Sequence, residues 1–158
     1  MKKIPLIVFQ SIFVAGALLG LILTAIASWA DLESAFYFDR LGGERLSTLN
    51  CPILMTTNET SSFSVNLTNK TEKELSPSVK TEASSRLIPI KTNTPLKIPP
   101  GESKGVELEI GPDNIELKQF IFVHAWVYAF YPMPNLENTC GVFVVDLPGK
   151  GSVILWTA

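Results

Sequence analysis

The sequence predicts an all-β domain behind one N-terminal transmembrane helix, and two patterns support this prediction. The first is an apolar run over residues 4–30 that contains no ionisable side chain. About 20 apolar residues in a helix are enough to span about 30 Å of hydrocarbon. The second is a series of short β-like runs after Cys51, each bounded by Asn, Thr, Pro or Gly, as in proteins built from short strands and turns.

Charges on either side of the apolar run predict its orientation. Lys2 and Lys3 precede it, and Asp31 is the first charged residue after it. Because positive charges stay on the cytoplasmic side of a membrane, we expect the N-terminus in the cytoplasm and the domain outside, periplasmic or extracellular. A cleaved signal peptide is the alternative, but the apolar core of a signal peptide is only about 7–15 residues long. We therefore interpret residues 1–30 as a retained single-pass helix with the lipid bilayer as its first partner.

Gly16 and Gly20 form a Gly-x-x-x-Gly pair within this helix. Small residues at this spacing allow two membrane helices to approach closely. The pair predicts a helix–helix contact with another membrane protein subunit. The alternative is that both glycines face lipid, since glycine is common in membrane helices.

The rest of the chain is long enough for one domain, because about 128 residues can bury a core of their own. The formal net charge of the 158 residues is −2, and it becomes −4 once Lys2 and Lys3 are set aside. No basic face is expected, and nucleic acid is therefore excluded as a partner. We interpret residues 31–50 as a juxtamembrane helix or linker, residues 51–148 as the β domain, and residues 149–158 as an apolar tail that forms a last strand or returns to the membrane.

About seven short strands in about 100 residues predict an antiparallel β-sandwich of the immunoglobulin-like type. The most apolar strand lies within residues 118–131, and both of its faces are apolar. Such a strand is covered on two sides, or its outer face meets a partner or the membrane surface. Its aromatic face either fills the core of the sandwich or forms a partner surface made of Phe120, Phe122, Trp126, Tyr128 and Phe130.

Cys51 and Cys140 are far apart, and neither belongs to a Cys-x-x-Cys pair, which argues against a zinc or redox site. Outside the cytoplasm we expect them to form a disulfide; two buried free thiols are the alternative. In immunoglobulin-like folds the first strand often pairs in parallel with the last, and each cysteine is near the start of one of these two strands. Cα atoms more than about 7 Å apart would contradict the bridge.

Two segments resemble a known class of module. Residues 63–83, FSVNLTNKTEKELSPSVKTEA, and residues 96–110, LKIPPGESKGVELEI, resemble the bacterial immunoglobulin-like modules of the cell-adhesion-related type. In those modules a strand ending in Asn-x-Thr precedes a polar turn, and a Pro-Gly-Glu/Asp-Ser turn precedes an alternating strand. The resemblance covers residues 61–110 and implies a spacer, an adhesion element or a contact surface. Because turns carry it, no functional residue is transferred.

No catalytic or cofactor motif stands out. His124 is the only histidine, and a single histidine in an aromatic strand is expected to pack in the core, since a copper site of the cupredoxin type needs two. We find no nucleophile elbow, glycine-rich phosphate loop or calcium loop in the sequence. We therefore expect no enzymatic activity and no cofactor. The sequence favours an accessory subunit of a membrane protein complex; the alternative is a surface adhesion or carbohydrate-binding module, which Trp126 or Tyr128 exposed in a groove would favour.

Overall fold

The N-terminal helix is longer than a bilayer is thick. The computed structural model describes residues 6–39, 44–85, 88–128, 134–149 and 151, and helix α1 extends over Leu6–Tyr37 without a break. Its 32 residues rise about 48 Å, whereas the hydrocarbon core of a membrane is about 30 Å thick. Within the described residues it is the one helix long and apolar enough to cross a membrane. If the first turns of α1 span a bilayer, its last turns therefore extend beyond the hydrocarbon core.

Nine strands follow α1 in the part of the chain that the structure describes. They are β1 Glu44–Arg45, β2 Leu49–Asn50, β3 Leu54–Thr56, β4 Ser61–Thr68, β5 Ser78–Ala83, β6 Ile90–Pro95, β7 Ser103–Ile110, β8 Phe120–Tyr128 and β9 Leu136–Val145. The protein is thus mostly β with one apolar N-terminal helix. Strands β1 and β2 lie within residues 31–50, the range interpreted as helix or linker, so the β domain begins earlier than residue 51.

The strands form two sheets. One has the order β1-β9-β8-β5-β6, with β3 also paired to β9, and the other has the order β2-β4-β7. Strands β1 and β3 both run parallel to β9, at opposite ends of the same edge, while the other pairs are antiparallel. The predicted antiparallel sandwich is thus mixed at this edge. The edge is mixed because β1 and β3, from the start of the β domain, pair in parallel with the last strand, β9. Such pairing of first and last strands was expected from the sequence.

Side chains from both sheets meet in a common interior. One cluster contains Phe63 of β4 and Ile121 of β8, and a second contains Val65 of β4 and Val79 of β5. Because side chains alternate along a strand, each strand supplies every second residue to this interior. The buried faces of the two sheets thus pack on each other.

Cys51 and Cys140 form a disulfide, with their Cα atoms 6.6 Å apart. Both side chains pack against the cluster that contains Phe63 and Ile121. The predicted bridge is thus confirmed. It joins the segment between β2 and β3 to the middle of β9, and so closes most of the β domain into one loop.

Candidate functional site

The last turns of α1 pack on the outer face of the six-stranded sheet. Ala30 and Ser34 are both fully buried there. A Cβ atom built on Gly141 of β9 would overlap the backbone carbonyl of Ala30. The helix therefore reaches the strand backbone only because this position is glycine.

Two polar side chains of α1 bond to the backbone of β9 at this contact. The peptide N–H of Gly141 donates to Asp31 Oδ1 at 3.0 Å. The hydroxyl of Ser34 donates to the carbonyl of Cys140 at 2.8 Å. Since β1 and β3 pair with the two ends of β9, Asp31 accepts a bond from the strand edge between them. The helix is thus fixed to the sheet by backbone contacts as well as by apolar packing.

Aromatic rings of α1 cover the first part of β8. The ring of Trp29 packs edge-on against Phe120 with 5.2 Å between centroids, and the ring of Tyr37 lies 4.9 Å from that of Phe122. Phe120 and Phe122 are each 1% exposed. These two phenylalanines are therefore buried under the chain's own helix.

This burial corrects the predicted partner surface on β8. Phe120 and Phe122 are not free to contact a partner, and they do not fill the interior between the sheets either. That interior receives the opposite face of β8, which consists of Ile121, Val123, Ala125 and Val127. Of the other predicted residues, Trp126 is partly buried, Tyr128 is 43% exposed, and Phe130 lies outside the described residues.

A cavity of about 430 Å³ opens beyond the end of α1, on the same face of the sheet. Its floor comes from β5, β6, β8 and β9, and its side from the end of the helix. The lining residues are Tyr37, Phe38, Glu82, Pro89, Lys91, His124, Trp126 and Glu137. Trp126, which the sequence singled out, therefore lies in a groove.

Buried charges form the polar part of this cavity. His124 Nε2 lies 2.8 Å from Glu137 Oε1, and Lys91 Nζ lies 3.0 Å from Glu82 Oε1. Both carboxylates belong to residues that are only 7% exposed. Burial lowers the pKa of His124, and the hydrogen bond to Glu137 opposes this shift without cancelling it. His124 is therefore neutral near pH 7, and its Nε2–H donates to Glu137.

Trp126 is held in position by its neighbours. Its ring stacks on the imidazole of His124 with 4.2 Å between centroids, and Lys80 Nζ lies 4.5 Å from its ring centroid. A cation at this distance from an indole contributes a cation–π attraction. The indole is thus ordered before any ligand arrives.

The sequence did not single out Glu82, Lys91 or Glu137 as site residues. Glu82 and Lys91 are paired across β5 and β6, and Trp126 and Glu137 across β8 and β9. Acidic and basic residues that point outward from a strand are usually solvated, so only the register of the sheet reveals that these carboxylates are grouped. Within the described residues, no group of three or more His, Cys, Asp or Glu could hold a metal ion.

The predicted helix contact lies in the exposed part of α1. A Cβ atom built on Gly16 or on Gly20 would meet no other atom within 4 Å. Both glycines therefore remain open to lipid or to another helix, and the contact stays a prediction.

No protein-family model matches this chain, and no curated protein matches it. Among solved structures, it is similar to the CARDB domain of a Pyrococcus furiosus protein, determined in complex with di-metal ions. The identity is 18% and the TM-score 0.46, over 63% of this chain and 90% of that domain. This similarity concerns the fold alone.

Two further solved structures are similar to this chain with lower TM-scores. The sporulation control protein Spo0M from Bacillus subtilis has 11% identity and a TM-score of 0.39, over 68% of this chain and 51% of Spo0M. The β-glucosidase EmGH1 from Erythrobacter marinus has 16% identity and a TM-score of 0.39, over 59% of this chain and 14% of the enzyme. This chain thus spans about half of Spo0M and a small part of the glucosidase.

Proposed function

We propose that this protein is a non-enzymatic, single-pass membrane protein with its N-terminus in the cytoplasm. It displays an immunoglobulin-like sandwich outside the cytoplasm, as an accessory subunit of a membrane protein complex. The observation that carries the proposal is the continuity of α1, which passes from a membrane-length apolar stretch directly onto the sheet. The anchor and the domain are joined through Ser34 and Gly141 rather than by a flexible linker.

A rigid junction supports a role as a subunit. A flexible linker would let the domain search for distant ligands, whereas a docked helix keeps the domain at one height and one rotation. A partner that touches both the helix and the domain then loses less conformational entropy on binding. The apolar stretch of α1 is also unburied within the chain, so its whole circumference is open to lipid or to another helix.

Site-specific photocrosslinking in native membranes tests this proposal. A benzophenone amino acid replaces Phe13, which lies on the same side of the helix as Gly16 and Gly20, or Ile22, which lies on the opposite side. We expect one discrete cross-linked protein from position 13 and none from position 22. The double substitution Gly16→Leu with Gly20→Leu should remove that product. No cross-link from either position, together with migration as a single monomer in mild detergent, would contradict the proposal.

The cavity beside Trp126 favours a second candidate function, the binding of a carbohydrate or another cell-envelope ligand. It combines an ordered indole with two carboxylates, Glu82 and Glu137, and the ammonium group of Lys91. Aromatic faces pack against sugar rings, and carboxylates accept hydrogen bonds from sugar hydroxyls. The site therefore suits a neutral, polyhydroxylated ligand.

Titration of the detergent-solubilised full chain with a panel of soluble oligosaccharides tests this second function. We expect Trp126→Ala to weaken binding about tenfold, which corresponds to the loss of one ring contact. Tyr128→Ala is the matched control, because Tyr128 is exposed on the same strand but does not line the cavity. Equal affinities of the wild type and of Trp126→Ala for every bound sugar would exclude the cavity as the site.

A further inference from the structure

Large apolar side chains are exposed around one end of the β domain. Leu117 is 66% exposed, Ile88 77%, and Leu147 and Ile53 51% each. Single exposed apolar residues are ordinary on a protein surface, whereas several at one place mark a contact. We refer to these four residues as the apolar rim.

The direction of α1 identifies which end of the domain carries the rim. Trp29 packs on Phe120, and Phe38 packs on His124 with 4.9 Å between ring centroids. The nine-residue step from Trp29 to Phe38 rises about 13 Å along a helix. The four-residue step from Phe120 to His124 also rises about 13 Å along a strand. The helix thus runs alongside β8 in the same direction, and its membrane-length part leaves the domain at the Phe120 end.

Strand register places the rim at that end. Leu117 precedes the first residue of β8, Phe120. Phe143 of β9 pairs with Phe120, and the chain continues past Val145, in the direction of the membrane-length helix, to Leu147. Ile53 lies level with this pair, since its carbonyl accepts the N–H of Phe143 at 3.1 Å.

Ile88 lies in the turn between β5 and β6. Ala83 of β5 pairs with Val123 of β8 and with Ile90 of β6. Strand β5 runs toward the Phe120 end at Ala83 and β6 starts from that end at Ile90, so Ile88 lies at the same end as Phe120. The four rim residues come from four separate segments of the chain, and the fold brings them to one end of the domain.

The backbone that holds Leu117 is strained. Leu117 and Lys118 have φ angles of 49° and 64°, and the N–H of Gln119 donates to the carbonyl of Glu116 at 3.1 Å. Two successive residues with positive φ, enclosed by a hydrogen bond between the residues on either side of them, define a type I′ turn. Asn-Gly is the preferred sequence for this turn. A leucine and a lysine are disfavoured there. The turn therefore keeps an apolar side chain pointing outward at the expense of local stability.

We infer that the apolar rim sits in the interfacial layer of the bilayer, so that the domain rests directly on lipid. The inference depends on the proposed function in one respect, because it requires α1 to span the membrane. From Ile7 to Trp29 the helix rises about 33 Å, so Trp29 lies at the boundary where tryptophan is favoured. The rim is level with Trp29 or closer to the membrane, and it continues the apolar surface of the helix.

Apolar insertion rather than charge drives this contact. Lys118 adjoins Leu117, but the exposed Asp113 and Asp146 occupy the same end of the domain. The two carboxylates outnumber the one ammonium group, so these charges do not favour anionic lipid. Neutral phosphatidylcholine should be sufficient to seat the rim.

Depth-dependent quenching tests the inference on the full chain in phosphatidylcholine vesicles with brominated acyl chains. Both natural cysteines are in the disulfide, so a single new cysteine takes an environment-sensitive dye. The labelled positions are Leu117→Cys and Leu147→Cys in the rim, Leu18→Cys in the helix, and Glu72→Cys at the opposite end of the domain. We expect blue-shifted, lipid-quenched emission at positions 117, 147 and 18, and water-like emission at position 72.

Each outcome decides a separate question. Quenching at position 18 with water-like emission at positions 117 and 147 overturns the rim contact and leaves the anchor intact. A lack of quenching at position 18 overturns the anchor and the rim contact together. Blue-shifted emission at positions 117 and 147 that brominated chains do not quench means that protein covers the rim, which also overturns the inference.

A strain-relieving variant provides a second test. Leu117→Asn suits the positive φ angle and removes the apolar group. We expect this variant to unfold at a higher temperature than the wild type in detergent, and to reduce the quenching of a dye at position 147. A lower unfolding temperature would show that Leu117 serves the fold. Unchanged quenching at position 147 would show that the rim does not enter the bilayer.

Discussion

From the contact between Gly141 and Ala30 we predict how much free energy of unfolding the variant Gly141→Ala loses. The added methyl group would overlap a backbone carbonyl, which cannot turn away as a side chain could. The helix must shift, and the bonds from Gly141 N–H to Asp31 and from Ser34 to Cys140 lengthen. Each of the two bonds contributes about 1 kcal/mol, and overpacking adds about 1–3 kcal/mol. We therefore expect the free energy of unfolding to fall by about 3–5 kcal/mol.

Urea unfolding of the full chain in detergent micelles measures this loss. With a slope of about 2 kcal/mol per molar urea, the midpoint should fall by about 1.5–2.5 M. Hydrogen exchange across residues 30–38 should quicken at the same time, because these last turns of α1 would fray once they leave the sheet. This second measurement separates undocking of the helix from general loosening of the β domain.

Gly105→Ala is the matched control for this prediction. Gly105 is also in a strand, but its added methyl would overlap only the Asn66 side chain, which is exposed and can rotate away. The nearest backbone atom, the carbonyl oxygen of Val65, would lie 3.3 Å from the methyl, so a small shift is sufficient. We expect Gly105→Ala to leave the midpoint nearly unchanged, since alanine loses less entropy on folding than glycine and this gain offsets the small shift. If Gly141→Ala matched the wild type in both midpoint and exchange, α1 would not be docked as described.

Three further predictions concern the β domain, each measured as a change in the free energy of unfolding. Replacing both Cys51 and Cys140 by alanine should cost at most about 4–5 kcal/mol, since the bridge closes a loop across 89 positions and restricts the unfolded chain. His124 has a lowered pKa in the folded state, so its contribution to stability is present above about pH 6.5 and is lost as the pH falls. The slope of stability against pH from this one group cannot exceed about 1.4 kcal/mol per pH unit. His124→Gln should remove this pH dependence. Asn69→Ala should cost about 2–4 kcal/mol, because the buried Asn69 amide donates to the carbonyls of Lys73 and Ile98 at 2.7 and 2.8 Å, which would lose their donor.

Each of these predictions has its own control. Reduction of the wild type should reproduce the loss seen in the double alanine variant, and an unchanged stability after reduction would contradict the role of the bridge. A pH slope that persists in His124→Gln would assign that slope to the buried carboxylates instead. Asn66→Ala, at an exposed asparagine of β4, should be neutral. An equal loss at positions 66 and 69 would contradict the specific role of the Asn69 amide.

Local patterns in the sequence were sufficient for much of the fold. The apolar run, the strand that contains Phe120 and the pairing of Cys51 with Cys140 each depend on spacing along the chain or on the redox setting of the domain. Local patterns did not predict the cavity. Trp126 stood out as an aromatic residue, but Glu82 and Glu137 looked like solvated strand charges. Only the register of β5, β8 and β9 shows that they are buried beside His124.

The sequence alone determined that an apolar helix precedes a β domain, because hydrophobic period and turn residues are local properties. It predicted the disulfide between Cys51 and Cys140, which the structure then showed. Both faces of β8 are apolar. The two-residue alternation of side chains therefore could not determine which face lies between the sheets. The tertiary structure decided that Val123 faces the second sheet and Phe122 faces α1. The physical reason lies at Gly141, where the lack of a side chain lets the helix reach the sheet and bury one aromatic face. The rim around Leu117 stays exposed at the end from which the apolar helix leaves the domain.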